Sequence, residues 1–204
     1  MIEFLFSQYK EYPNYLIALE LIAVVFGVIS VLFARKNNIL VYPTGLVSTI
    51  LYVYILFEFQ LYGDLIINGY YSIMSVLGWY LWSKTKDGHE EFPISTINRK
   101  EFLISTLIFT ITLTFVVVVY HFFDKFTDLT AYVDAFTTAL FFVGMWLMAK
   151  RKIENWIVWI VADIISVPLY YYKGLTVSSL QFIVFTIIAI LGYLEWRKFL
   201  QKQI

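Results

Sequence analysis

The stretch Glu154–Leu175, "ENWIVWIVADIISVPLYYYKGL", decides how this chain must fold. It is built from Trp, Ile, Val and Tyr, yet Asp163 stands in its middle, and no Lys, Arg or His on the segment lies close enough to neutralise it. A run this long and this apolar crosses a bilayer as a helix, because about 20 residues rising ~1.5 Å each cover a hydrocarbon core ~30 Å thick. An ionised carboxylate at the centre of such a helix costs roughly 2.5–3.5 kcal/mol on insertion scales. Acids in that position face a cavity, pair with a partner or move protons, so Asp163 is the first candidate for function.

Helix geometry adds two neighbours. Positions i, i+3 and i+7 share a face, so Trp156, Trp159 and Asp163 project together. Each indole face attracts a cation by about 0.5–2 kcal/mol, and a carboxylate one turn deeper draws the same charge. An aromatic interface belt accounts for Trp156, explains Trp159 poorly and leaves Asp163 unexplained. Pro168 interrupts the same span, where it removes a backbone donor and serves as a hinge or merely as a bend.

Composition extends this reading to the whole chain. Of 204 residues, 60% are hydrophobic and 20% aromatic, and the mean hydropathy is +0.74. A soluble domain is nearer about 45–50% apolar, so the excess requires an apolar solvent as well as an apolar core. The formal net charge is zero, which offers nucleic acid nothing to bind. The absence of cysteine excludes disulfides, zinc–thiolate sites and thiol nucleophiles, and no metal site or cofactor is expected. The N-terminal "MIEFLFSQYKEYP" lacks a basic n-region and a small-residue cleavage site, so it is read as retained rather than as a signal peptide.

Seven segments are long enough to span: 14–34, 40–58, 61–83, 101–123, 129–149, 153–172 and 175–196. Lipid cannot satisfy the open edge of a sheet, so the expected fold class is an all-α membrane protein with seven transmembrane helices. Pro43 opens the second span. The long connection "SKTKDGHEEFPISTINRK", which holds His89, is expected to be a polar loop, and His121 falls near a span end. Basic residues give the orientation. Arg35, Lys36, Lys84, Lys86, Arg99, Lys100, Lys150, Arg151, Lys152, Arg197, Lys198 and Lys202 follow odd-numbered spans, against only Lys10, Lys125 and Lys173 on the other side. That bias places the N-terminus outside and the C-terminus in the cytoplasm.

A shift of 114 residues lays spans one to three over spans five to seven: "GWYLW" (Gly78–Trp82) falls on "GYLEW" (Gly192–Trp196), Lys36 on Lys150, Ile39 on Ile153, Leu61 on Leu175 and Glu20 on Asp134. The units so defined are residues 1–83, a loop and linker helix over 84–128, and residues 129–204. Two three-helix units separated by one helix have the same orientation in the bilayer. This is a 3+1+3 parallel repeat of the SWEET kind, which binds substrate between its repeats near the midplane. A seven-helix receptor matches the helix number but not the duplication.

The other intramembrane acids are Glu20, Asp134 and, nearer a span end, Asp64. Glu20 and Asp134 are candidate proton or gating sites, along with Pro168, or else neutral acids bonded to a neighbouring helix. Asp64, Asn68 and Tyr71 share a face of the third span, Tyr52 lies midway along the second, and Gln181 on the seventh sits near the repeat equivalent of Asn68. These residues could complete a substrate site with Trp156, Trp159 and Asp163.

Together, "WIVWIVADIISVPLYYYKGL", "GYLEW" and "LYGDLIINGYYSIMSVLGWYLW" resemble the PnuC family of bacterial vitamin transporters over nearly the whole chain. The most specific element is W-x-x-W with the downstream L-Y-x-x-K-G-L run. The resemblance implies a SWEET-like 3+1+3 fold, a homotrimer in the bacterial inner membrane, and facilitated diffusion of nicotinamide riboside, with thiamine or other nucleoside-like vitamins carried by relatives. It also implies a cytoplasmic kinase that traps the product, and tryptophans at positions 156 and 159 that pack around the substrate ring. Asp163 stands where an asparagine is expected of riboside carriers, and Asn68 where a glutamine is expected. Nicotinamide riboside and thiamine both carry a fixed positive ring, which suits a carboxylate. The expected function is therefore import of nicotinamide riboside by facilitated diffusion, its cationic ring bound between Trp156 and Trp159 at mid-membrane with Asp163, Asn68 and Gln181 as polar contacts, and with thiamine transport and proton-coupled symport as alternatives. An intramembrane enzyme would need a nucleophile–base pair or a metal cluster at depth, and the sequence offers neither cysteine nor a paired histidine motif.

Overall fold

Each of the seven apolar runs forms one helix: α1 Asn14–Arg35, α2 Val41–Glu58, α3 Tyr62–Trp82, α4 Arg99–Phe122, α5 Leu129–Ala149, α6 Glu154–Tyr172 and α7 Thr176–Lys202. The structure is a computed structural model and describes residues 13–58, 62–86, 89–90, 92–124, 129–172 and 176–202. Helix ends fall within two residues of the expected spans, except that α7 runs on to Lys202. Arg197, Lys198 and Lys202 end the apolar run without ending the helix, since Lys and Arg are good helix formers and their charge suits the negative C-terminal end of the dipole.

Five of the helices are apolar and long enough to cross a membrane by composition alone: α1, α2, α4, α5 and the Ser179–Lys202 part of α7. Large apolar side chains stand outward along them, Leu21 at 62% exposure and Val118 at 60% among them, a surface that water would not tolerate but lipid does. The other two helices, α3 with 21 residues and α6 with 19, are of spanning length. They are less apolar because they carry the Asn, Asp, Tyr and Trp residues singled out as candidates.

The chain divides into two compact units, Met1–Glu91 and Phe92–Ile204. In the first, α2 packs against both α1 and α3. Small residues bring α1 and α2 close together, and hydroxyls bond across the gap: Ser48 Oγ donates to the Ala23 carbonyl at 2.8 Å and Ser30 Oγ to the Val41 carbonyl at 2.7 Å. Such close backbone approach and interhelical hydrogen bonding are how helices associate where lipid removes the hydrophobic incentive. Between α2 and α3, Ser72 Oγ donates to Thr49 Oγ1 at 2.8 Å.

The expected polar loop contains one short pair of strands that the sequence reading does not resolve. β1 (Thr85–Lys86) pairs antiparallel with β2 (His89–Glu90). A two-residue strand is too short for period-two alternation to reveal it.

In the second unit, α4 packs on α5, α5 on α6 and α6 on α7. The segment preceding α4 is fixed to the α5–α6 turn. Ser95 N donates to the Arg151 carbonyl at 3.1 Å, and Ile153 N donates to the Ser95 carbonyl at 3.0 Å. The Arg151 guanidinium, buried at 2% exposure, donates to the Phe92 carbonyl at 3.0 Å. Both carboxylate oxygens of Glu154 accept from Ile97 N at 3.1 Å. Asn98 and Glu101 form a reciprocal capping box that starts α4, and Lys152 pairs with Glu101 at 2.9 Å.

The turns that end α1 and α5 match bond for bond under the 114-residue shift. After α1, Asn37 N bonds the Ala34 carbonyl and Asn38 N the Phe33 carbonyl, both at 2.9 Å; after α5, Arg151 N bonds Met148 and Lys152 N bonds Leu147, also at 2.9 Å. Both are Schellman turns, and Asn37 and Arg151 each take φ 51°. That left-handed conformation disfavours Arg, and the buried contacts of Arg151 hold it there.

Candidate functional site

The buried face of α6 includes Asn155, Trp156, Ala162, Asp163, Ser166 and Leu169. Asp163 is 4% exposed, and among the described residues none forms a hydrogen bond or ion pair with its carboxylate. One turn on, the Ser166 hydroxyl is buried and unpartnered among the described residues, as are Trp156 Nε1 and Asn155 Oδ1. Unmet polar capacity thus collects on the buried face of α6, where each unsatisfied group costs about 1–3 kcal/mol.

The two tryptophans occupy different environments. Trp156 is fully buried, edge-to-face with Trp159 (5.5 Å, 84°) and with Trp196 (5.5 Å, 89°). Gly192 makes room for it, since a Cβ there would lie 2.7 Å from the Trp156 ring. Trp159 is half-buried, with its pyrrole edge on Gly144 of α5, where a Cβ would collide with Nε1 and Cδ1. Asp163 therefore shares its helix face with one indole locked in the core and one only partly enclosed.

The first unit contains the counterpart of this core. Tyr42 and Trp82 meet edge-to-face (5.0 Å, 89°), and Gly78 yields to the Tyr42 ring. A shift of 114 carries Tyr42, Gly78 and Trp82 onto Trp156, Gly192 and Trp196. The same shift carries Thr49 onto Asp163 and Ser72 onto Thr186. Thr49 is satisfied by Ser72, whereas Thr186 donates to the Phe182 carbonyl of its own helix at 2.8 Å. The equivalent position is a closed hydroxyl pair in one unit and an uncommitted acid in the other.

The remaining candidates divide between the units. Tyr52, Asn68 and Tyr71 are half-buried in the first; the Asn68 carbonyl accepts from Ser72 Oγ at 3.0 Å, and Tyr71 lies 6.0 Å from the Tyr70 ring. Asp64 lies in the first turn of α3, with its side chain outside the described residues. Glu20 is half-buried on α1. In the second unit, Gln181 is half-buried on α7 beside Phe182, whose ring packs against Tyr170 (4.8 Å) and Phe141 (5.9 Å). Asp134 accepts a 2.6 Å hydrogen bond from the Tyr120 hydroxyl of α4. Pro168 is exposed within α6, and next to it Ser179 Oγ donates to the Val167 carbonyl at 2.8 Å, joining α7 to α6. Gly144, Ser166, Asn155, Tyr120 and Trp196 were not singled out as candidates in the sequence. The repeat shift would have exposed Trp196 and its partner through Tyr42, but nothing in the sequence marks Gly144 or Tyr120.

The family model described as nicotinamide mononucleotide transporter matches residues 17–198. The chain belongs to this family. The nicotinamide riboside transporter PnuC of Escherichia coli is 25% identical over 201 residues, covering 87% of this chain and 84% of that protein. PnuC of Neisseria mucosa is 25% identical over 194 residues, covering 89% and 72%. A riboflavin/roseoflavin transporter, RibM of Streptomyces davaonensis, is 20% identical over 194 residues, covering 91% and 87%. The crystal structure of the vitamin B3 transporter PnuC shares the fold with a TM-score of 0.69 at 23% identity, over 98% of this chain and 90% of that one. As a family member with several apolar helices of spanning length, the protein is a multi-pass bacterial membrane transporter.

Proposed function

We propose that the protein imports nicotinamide riboside by facilitated diffusion, receiving the positively charged pyridinium ring against Trp159 with Asp163 as its counter-charge. The observation that carries this is the buried Asp163 carboxylate, without a described partner, one helical turn from a partly enclosed indole. A fixed cation stabilises an acid that the membrane interior otherwise penalises, and an indole face attracts the same charge. The names of the PnuC relatives support the riboside as cargo. In this reading the tryptophan pair acts as a unit, with Trp156 backing Trp159. Gln181, in the same unit, is a proposed polar contact, and Asn68, Tyr52, Tyr71 and Asp64 are proposed as polar contacts on the sequence reading alone.

The matched turns, the matched aromatic cores and the same order of helix packing in α1–α3 and α5–α7 support a 3+1+3 parallel repeat of SWEET type. The basic clusters after odd-numbered helices support an outside N-terminus and a cytoplasmic C-terminus in the inner membrane. The homotrimer and the trapping kinase rest on the family resemblance. The Tyr120 bond to Asp134 favours a structural role for that acid, which weighs against proton coupling through it. Thiamine remains the other cationic cargo that the charge of Asp163 would accept.

Uptake of radiolabelled vitamin into proteoliposomes tests the proposal. Saturable entry of the riboside that equilibrates without an ion gradient is expected. Saturable entry of thiamine with none of the riboside would overturn it.

A further inference from the structure

We propose that Gly144 is a positioning residue for substrate, setting the depth of the Trp159 indole and with it the size of planar ring the site admits; this rests on the assignment of Trp159 to the substrate. Two contacts define where that indole stands. Trp156 meets it edge-to-face at 5.5 Å and 84°, and Trp156 is itself immobilised by Trp196 and by the space Gly192 leaves. On the other side the pyrrole edge lies directly on the α5 backbone at Gly144, where a Cβ would overlap Nε1 and Cδ1 and stand 3.2 Å from Cε2. The smallest side chain there displaces the ring.

The first unit shows what the same crossing holds when it holds no indole. A shift of 114 carries Ser30 onto Gly144 and Gly45 onto Trp159. A Cβ on Gly45 would lie 2.9 Å from Ser30 Oγ, and that hydroxyl is tied to the Val41 carbonyl at 2.7 Å. The crossing therefore takes one side chain only. In the first unit it comes from the first helix of the pair and stays in the interface. In the second, the first helix gives up its side chain at Gly144 and the second helix supplies an indole that is only half-buried. Because Trp159 shares its face with Asp163 one turn along α6, moving the indole changes the spacing between ring face and carboxylate, the two features a planar cation would use.

Full-length Gly144→Ala, Trp159→Phe and the double variant, reconstituted in proteoliposomes with radiolabelled nicotinamide riboside, test this. Gly144→Ala is expected to raise KM about tenfold, the loss of one good ring–cation contact, with Vmax within about twofold of the parent. The double variant is expected to match Trp159→Phe alone, because the smaller ring no longer meets the added methyl. Riboside-dependent quenching of tryptophan fluorescence should shrink in Gly144→Ala and in Trp159→Phe by similar amounts. If Trp159→Phe raises KM and Gly144→Ala does not, the role of Gly144 is refuted and the ring contact stands. If Trp159→Phe leaves KM unchanged, the ring contact fails and Gly144 with it. Should Gly144→Ala not fold, the double variant decides: failure to fold, or a KM well above that of Trp159→Phe, would show that Gly144 serves only helix packing.

Discussion

The two tryptophans of the W-x-x-W element should fail in different ways when truncated. Trp156 is fully enclosed, with Trp159 and Trp196 set edge-to-face against it and Gly192 beneath its ring. Trp156→Ala leaves a cavity the size of an indole in the contact between α6 and α7. Large-to-small changes of this kind cost about 3–5 kcal/mol, and the two edge-to-face pairs account for roughly 0.5–1.5 kcal/mol each beyond simple burial. For a chain of this length each kcal/mol moves the midpoint by about 2–4 °C, so a fall of roughly 6–20 °C is expected. Trp159 is half-buried, and its replacement by Phe should lower Tm by only a few degrees while raising KM. Thermal unfolding of the purified protein in detergent, followed alongside proteoliposome uptake, separates the two. A Trp156→Ala protein with unchanged Tm and abolished uptake would refute the assignment of Trp156 to the core.

Two further substitutions probe polar contacts of α4 and of the segment that precedes it. Tyr120→Phe removes the donor to Asp134 and should cost about 0.5–1.5 kcal/mol of stability. Uptake should remain independent of a proton gradient, and a variant whose transport gains or loses gradient dependence would return Asp134 to the mechanism. Glu154→Ala deletes the acceptor of Ile97 N and should speed limited proteolysis within residues 92–98 several-fold, with little change in KM; an unchanged cleavage rate would show that the other contacts of the α5–α6 turn hold the segment unaided.

Helix positions were legible because hydrophobic length in lipid is a coarse and forgiving signal: α1 to α6 begin and end within two residues of the expected spans. The extension of α7 was not, since Arg197 and Lys198 end an apolar run without ending a helix. The pairing of β1 with β2 escaped for the opposite reason, the strands being too short to carry a pattern. Of the site, the grouping of Trp156, Trp159 and Asp163 on one face follows from helical spacing alone. Which indole is enclosed does not, because burial depends on Gly192, Trp196 and Gly144, contributed by other helices. The partner of Asp134 was hidden likewise, in a tyrosine fourteen residues earlier on a neighbouring helix. The duplication extends beyond its visible motifs: "GWYLW" and "GYLEW" mark only the second half of a contact whose first half, Tyr42 and Trp156, differs in residue type but keeps the edge-to-face packing.

The role of the Asp163 charge can be measured by comparing uptake of nicotinamide riboside with that of its dihydro form, which keeps the ring and sugar but has no positive charge, in the parent and in Asp163→Asn. An ion pair at an effective dielectric constant of about 20 and ~5 Å is worth up to ~3 kcal/mol, so the parent should favour the cation by roughly 10- to 100-fold in KM and the variant should lose most of that preference. Equal preference in the two proteins would contradict the account.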